Sequence, residues 1–227
     1  MNVLRLSLFA VASWAILAML APHISLASEN LLVNGDFASG AESSPAAWTP
    51  ESWVSSPDTH YRWIAPLRDH PGELEIETAG MVNDARWVQT VHLDPGWYHI
   101  HAEARSENVG AGPGLAGAAI GILEFGTRFD QIKGDSDWTE LGFYLNVAEP
   151  ADVRVVLRLG EPWQYNTGRA FFRNAAIERV DGPVAGAQIW NLSEARSIWS
   201  GNRLSIVPVF VLLGVAAAIG WRLCKTL

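Results

Sequence analysis

Through residues 98–105 the chain alternates without a break between apolar and polar side chains. Tyr98, Ile100, Ala102 and Ala104 fall on one side; His99, His101, Glu103 and Arg105 fall on the other. A period of two belongs to a β-strand with one dry face and one wet face. Residues 153–159 repeat the pattern, and residues 73–77 give a shorter instance. Further strands are predicted over 85–93, 118–125, 139–147 and 170–180. Asp94-Pro95-Gly96 and Glu149-Pro150-Ala151-Asp152 supply turns between them. No amphipathic helix of ordinary length falls between Leu31 and Val180. Many short strands separated by turns at this spacing build an all-β sandwich or barrel.

The two ends of the 227-residue chain have a different character. Arg5 precedes an apolar run over residues 6–20, Pro22 breaks it, and Ser25-Leu26-Ala27 offers the small residues a signal peptidase reads. Residues 1–27 are therefore expected to be a signal peptide, with an uncleaved N-terminal anchor as the alternative. Residues 204–223 are expected to form one transmembrane helix, because the uncharged run is about eighteen residues and nearly matches a bilayer's hydrocarbon thickness. Arg222 and Lys225 favour the cytoplasmic side, which leaves 224–227 as a cytoplasmic tail and the body outside, periplasmic or extracellular. The sandwich is assigned to 28–181, and Gly182-Pro183 opens a linker over 182–203. There, Trp190, Leu192, Ile198 and Trp199 would line one side of an interfacial helix, or the segment is a loose stalk.

Composition removes several functions. The formal charge is −8 and no basic run occurs, so nucleic acid is excluded as a partner. The one cysteine, Cys224, lies beyond the membrane segment, so the body has neither a disulfide nor a thiolate metal site. The glycine-rich stretch 110–121 lacks a P-loop lysine. G-x-S-x-G, H-E-x-x-H and C-x-x-C are all missing, and nothing pairs two carboxylates as a glycosidase requires. The chain is not expected to be an enzyme. It holds eleven tryptophans, a residue that serves β-sheet cores, membrane interfaces and sugar sites alike.

Asn30-Leu31-Leu32-Val33-Asn34-Gly35-Asp36-Phe37 resembles the opening strand of jelly-roll carbohydrate-binding modules with the galactose-binding-like fold. In those modules an aromatic-rich loop follows, matched here by Trp48 and Trp53. Residues 87–98 are similar to the family's central hairpin, Asp137-Trp138-Thr139-Glu140-Leu141 to its next strand start, and residues 168–178 to its closing strand. The resemblance implies a jelly-roll β-sandwich that binds a glycan without catalysis. It also implies a structural calcium near the first strand. Asp36 and Glu42 could contribute to one, but Arg173-Asn174 stands where many relatives carry an acidic residue.

A sugar site needs aromatic faces for the ring and fixed polar groups for its hydroxyls. The candidates are Trp163, Gln164 and Tyr165 before the closing strand, Tyr61 and Trp63 from an earlier segment, and His101, Glu103 and Arg105 with His99 on the polar face. Each aromatic has packing as its alternative role, and Trp48, Trp87 and Trp138 are assigned to the core. His99 and His101 share a face but lack the third ligand a zinc site requires, unless Glu103 supplies it; solvation is the default. The expected function is a membrane-tethered, non-catalytic carbohydrate-binding module for a cell-envelope or extracellular glycan. The alternative is an accessory subunit that contacts an envelope protein and binds no sugar.

Overall fold

The computed structural model describes residues 29–194, apart from 69, 127 and 128. The expected signal peptide, membrane helix and tail, and Ile198 and Trp199 of the linker, lie outside the described residues. Among the described residues no helix is long and apolar enough to cross a membrane.

The described residues form strands β1 (Gly40–Ala41), β2 (Ser44–Pro45), β3 (Thr49–Ser52), β4 (Thr59–Ile64), β5 (Glu73–Leu93), β6 (Gly96–Val109), β7 (Ala118–Ile122), β8 (Gly134–Val147), β9 (Ala151–Val180) and β10 (Ile189–Asn191). A short 3-10 turn, Leu123–Phe125, follows β7, so the strand expected over 118–125 stops early. The strands expected separately at 73–77 and 85–93 are one strand, β5, and those at 153–159 and 170–180 are one strand, β9.

β5 and β9 each serve two layers. The first half of β5 pairs with β4 and with the second half of β9, which in turn pairs with β6. β6 continues to β8, and β8 to β10. The second half of β5 pairs with β3 and with the first half of β9, which also carries β7. Register shifts in β5 between Thr78 and Met81 and between Val82 and Asp84 mark the fold line. Extra residues in one strand bend and twist it. On β9 the shift is larger: Gly160 opposes Asp84 and Tyr165 opposes Val82, so residues 161–164 bulge out at the corner. Gly160 sits at φ +100, and a Cβ there would lie 1.8 Å from Asn166 Nδ2. Only glycine fits that position.

One apolar cluster fills the space between the layers. Tyr98, Ile100, Ala102 and Ala104 are all buried, as the alternation requires. They meet Phe143 and Leu145 of β8 and Phe172 and Ile177 of β9, together with Leu93, Val153, Val155 and Leu157 of the other layer. Each fully buried large apolar side chain contributes about 1.5–3 kcal/mol. Trp48 and Trp87 belong to this core. Trp138 does not: it is half-buried, with the guanidinium of Arg173 4.1 Å and that of Arg105 5.5 Å from its ring centre.

The opening motif is a clasp of turns holding a single bridge, Asn30 to Glu178, and no strand. Asn30 Nδ2 donates to Ala175 O at 2.9 Å, while its Oδ1 accepts from the N–H groups of Leu32 and Ile177, both at 3.0 Å. Gly35 lies so close to β9 that a Cβ would stand 2.1 Å from Ala175 O. Leu32 and Phe37 are driven into the core. At the other end the chain runs past Gly182-Pro183 and adds β10 alongside β8 in parallel. Trp190 packs on Phe125 and Phe129, and Leu192 is buried in the core.

Candidate ligand-binding surface

The corner where the sheet folds carries exposed aromatic surface. Trp163 is 79% exposed and Trp53 38%. Their ring centres are 4.4 Å apart and their planes meet at 68°, an edge-to-face contact. Tyr165, Val82 and Val54 are also exposed here. Tyr165 and Val82 are cross-strand partners. Gln164 donates to Glu161 Oε2 at 2.8 Å, and Gln131 donates to the other oxygen of that buried carboxylate. The bulge 161–164 lifts Trp163 out of the sheet at φ +68. A bulky residue rarely occupies that left-handed region, and strain of this kind gathers at functional sites.

A buried polar network fixes the corner. Asp84 Oδ1 accepts from Arg158 Nε at 3.0 Å, and Asp84 Oδ2 accepts from Arg86 Nη1 at 2.7 Å. Arg158 Nη2 lies 2.5 Å from Asp84 Oδ2 but lacks hydrogen-bond alignment. Arg86 reaches on to Glu51 Oε2 at 3.2 Å. Asn83 Oδ1 accepts from the N–H of Val54 at 3.0 Å, and the N–H of Trp53 donates to Asp84 O at 3.0 Å. Asn166 Nδ2 donates to Asn83 O at 2.8 Å, while Asn166 Oδ1 accepts from Thr78 Oγ1 at 2.8 Å. The loop bearing Trp53 is thus tied to the same buried residues that shape the bulge bearing Trp163.

The candidates from the sequence separate into three places. Trp163, Gln164 and Tyr165 share the corner with Trp53, which stood out in the sequence only as a loop aromatic. Tyr61 and Trp63, on β4, are half-buried against the core and not part of this exposed surface. The Tyr61 hydroxyl is 2.6 Å from Ser52 Oγ and donates to Glu51 O, and burial holds its pKa above the ordinary value. Trp63 Nε1 donates to Phe37 O at 2.9 Å, and its ring is crossed so closely by Gly40 that a Cβ there would lie 2.6 Å away.

His101, Glu103 and Arg105 lie on the outer face of β6, where the last two are engaged in the sheet itself. Glu103 accepts from Arg173 at 2.6 and 2.8 Å and from Asn174 at 2.8 Å. The Asn174 hydrogen bond and then the Arg173 contact hold its carboxyl below the ordinary pKa. Arg105 donates to Glu107, and its guanidinium stands 3.9 Å from the centre of the Phe171 ring. Glu103 is therefore taken and does not complete a metal site with the histidines. Glu178, opposite His99 on β9, stands in that place: ligand atoms of His99, His101 and Glu178 all lie within 4.8 Å of one another. Burial, and then the nearby His101, lower the pKa of His99.

The residues near the first strand do not fit calcium, which wants several converging oxygens. Asp36 Oδ1 accepts from the Ala38 N–H at 3.2 Å, and Glu42 is exposed in the turn between β1 and β2. Asn34 fills the loop instead. Its Oδ1 accepts from the Ser39 N–H at 2.8 Å, which turns Nδ2 toward the carbonyls of Ser39 and Ala46 at 2.9 and 3.0 Å. A nitrogen donor thus occupies the side of those carbonyls that a cation would need.

No protein-family model matches the chain, and no curated protein matches it. Among solved structures it is similar to a CBM4 module, at 16% identity over 65% of this chain and 99% of that one, with a TM-score of 0.44. It is similar to TmCBM61, solved with β-1,4-galactotriose, at 10% identity over 67% and 100%, with a TM-score of 0.42. It is also similar to the CBM22-1 xylan-binding domain of Xyn10C from Paenibacillus barcinonensis, at 13% identity over 69% and 98%, with a TM-score of 0.43.

Proposed function

We propose that this β-sandwich is a non-catalytic carbohydrate-binding module, held outside the cytoplasmic membrane by a C-terminal helix after export, and that its ligand surface is the Trp53–Trp163–Tyr165 corner. The exposed, conformationally strained Trp163 carries the proposal. An indole left 79% in water adds little to folding, and its backbone conformation works against stability. Tryptophan faces stack on the C–H surface of pyranose rings. The resemblance in the opening and closing segments supports the same reading.

The test is a glycan array followed by calorimetry on the full-length chain. Binding to a poly- or oligosaccharide, reduced tenfold or more in Trp163→Ala and in Trp53→Ala, supports the proposal. Absence of any sugar binding, or binding that both variants leave unchanged, overturns it. The aliphatic pair Val54 and Val82, exposed beside the indoles, favours one competing reading: an accessory subunit that docks an envelope protein through this corner. Stoichiometric co-purification of a membrane partner, lost in Trp163→Ala, would establish that reading.

A further inference from the structure

We infer that His99, His101 and Glu178 form a binding site for one divalent ion of the zinc class on the outer face of the sandwich. His99 and His101 project from the same face of β6, two residues apart. Glu178 stands directly across from His99 on β9. Residues i and i+2 of one strand, together with a cross-strand partner, are close enough to share a ligand.

The three side chains are free to bind. Among the described residues none of them takes part in a hydrogen bond or ion pair. The neighbouring polar groups of β6 differ: Glu103 is bound by Arg173 and Asn174, and Arg105 by Glu107. The rings are held edge-outward in a stack. Tyr144 of β8 stacks on His99 at 4.6 Å and 19°, and His99 stacks on His101 at 4.6 Å and 20°. The stack keeps the ring edges together, and one imidazole must turn out of it for both in-plane lone pairs to meet at one ion.

Space beside the donors is provided by Gly142, the β8 partner of His101. A Cβ at that position would lie 2.9 Å from His101 Cβ and 3.2 Å from His99 Nε2. A side chain on β8 here would close over the imidazole edges, and glycine keeps them open. Glu140, on the same side of β8, adds negative potential toward His99.

Two imidazoles and one carboxylate select zinc, cobalt, nickel or copper over calcium or magnesium, which prefer all-oxygen shells. Zn–N distances of about 2.0–2.1 Å place tetrahedral donors roughly 3.3–3.4 Å apart. The donor atoms are already within 4.8 Å of one another, and rotation of one imidazole out of the stack brings them to that spacing with both lone pairs on the ion. Three protein ligands leave a fourth position for water or an oxygen of another molecule. The ion would link β6 to β9.

The experiment uses the full-length chain stripped with a chelator, then titrated with zinc chloride by calorimetry and with cobalt by visible absorption. One ion per chain, bound more tightly than about 10 μM, with the intense visible bands of tetrahedral cobalt, is the expected result. His99→Ala, His101→Ala and Glu178→Gln should each weaken binding by at least about tenfold, whereas His60→Ala should not. A measurement on the unaltered protein guards against variants that fail to fold: zinc should shift the ring ¹⁵N resonances of His99 and His101 alone among the six histidines. No stoichiometric binding, or resonance shifts spread over other histidines, overturns the site.

Discussion

Replacing Asp84 by Asn should be among the most damaging single changes that leaves every apolar contact in place. Asp84 is fully buried, and Arg158 is 2% exposed. Once the carboxylate loses its charge, the Arg158 guanidinium has only neutral acceptors left, the carbonyls of Gly160 at 3.1 Å and Gly126 at 2.6 Å and one amide oxygen at position 84. Removing one partner of a buried ion pair costs about 3–5 kcal/mol, because the other charge stays desolvated. A domain's whole stability is about 5–15 kcal/mol. At about 2–4 °C per kcal/mol for a domain of this size, the midpoint should fall by roughly 6–20 °C. Arg158→Met should cost less, because Asp84 retains Arg86. The double variant should recover at least about 1 kcal/mol of the Asp84→Asn loss, because no unpaired guanidinium remains. Thermal and urea unfolding of the full-length chain, followed by circular dichroism, measures all three. A loss below about 1 kcal/mol in Asp84→Asn, or strict additivity in the double variant, would refute the reasoning.

Three further outcomes are expected. Trp163→Gly should change stability by no more than about 1 kcal/mol, because relief of about 1–2 kcal/mol of left-handed strain offsets an edge contact of about 0.5–1.5 kcal/mol; Trp87→Ala, in the core, should lose about 3–5 kcal/mol in the same unfolding assay. Asn30→Ala removes three hydrogen bonds of the N-terminal clasp and should cost about 1–3 kcal/mol, with amide exchange accelerated at Leu32 and Ile177. Two carboxylates should give opposite pH slopes in urea unfolding. Glu103 has its pKa held below 4.5, so its contribution is complete above that value and fades as pH falls through the folded pKa; burial raises that of Glu75 above 4.5, so its contribution is complete below and fades as pH rises. Glu103→Gln should flatten the acid-side loss, and Glu75→Gln should gain relative to the parent as pH rises through the folded pKa of Glu75.

The strands of the central face were legible because alternation is a local property. Tyr98, Ile100, Ala102 and Ala104 needed no knowledge of their neighbours to be placed inside. The same logic fails on the first half of β9. Arg158 alternates like the exposed Arg154, yet it is buried. Its guanidinium reaches the Gly126 carbonyl beyond β7 and the Asp84 carboxylate on β5, two partners that only the tertiary fold brings to it. Trp138 is assigned to the core by sequence with Trp48 and Trp87, but it is half-buried, with the guanidinium groups of Arg105 and Arg173 over its ring. The corner surface was half legible: Trp163, Gln164 and Tyr165 are consecutive, whereas Trp53 joins them through the hydrogen bonds of its own N–H to Asp84 and of the Val54 N–H to Asn83, which no short-range pattern reveals. Glu178 escaped as a partner of His99 and His101 for the same reason: it is far away in sequence and faces His99 only through the β6–β9 register.

The distribution of satisfied and unsatisfied groups narrows where this surface can act. Along the outer face of β6 and β9, Glu103 binds Arg173 and Asn174, Glu107 binds Arg105 and Arg169, and the arginines in turn lie over Trp138 and Phe171. A ligand competing for these groups would have to break existing hydrogen bonds before forming its own, so its net gain would be small. The row Glu51–Arg86–Asp84–Arg158 is closed in the same way. The Trp53–Trp163 corner meets the opposite condition: its apolar faces are wet, and a stacked ligand would remove them from water without breaking any internal bond. The His99–His101–Glu178 trio meets the same condition, with donor atoms within 4.8 Å of one another and, among the described residues, no hydrogen bond to break. On physical grounds these two places, one apolar and one chelating, are where association gains most for the least disruption of the fold.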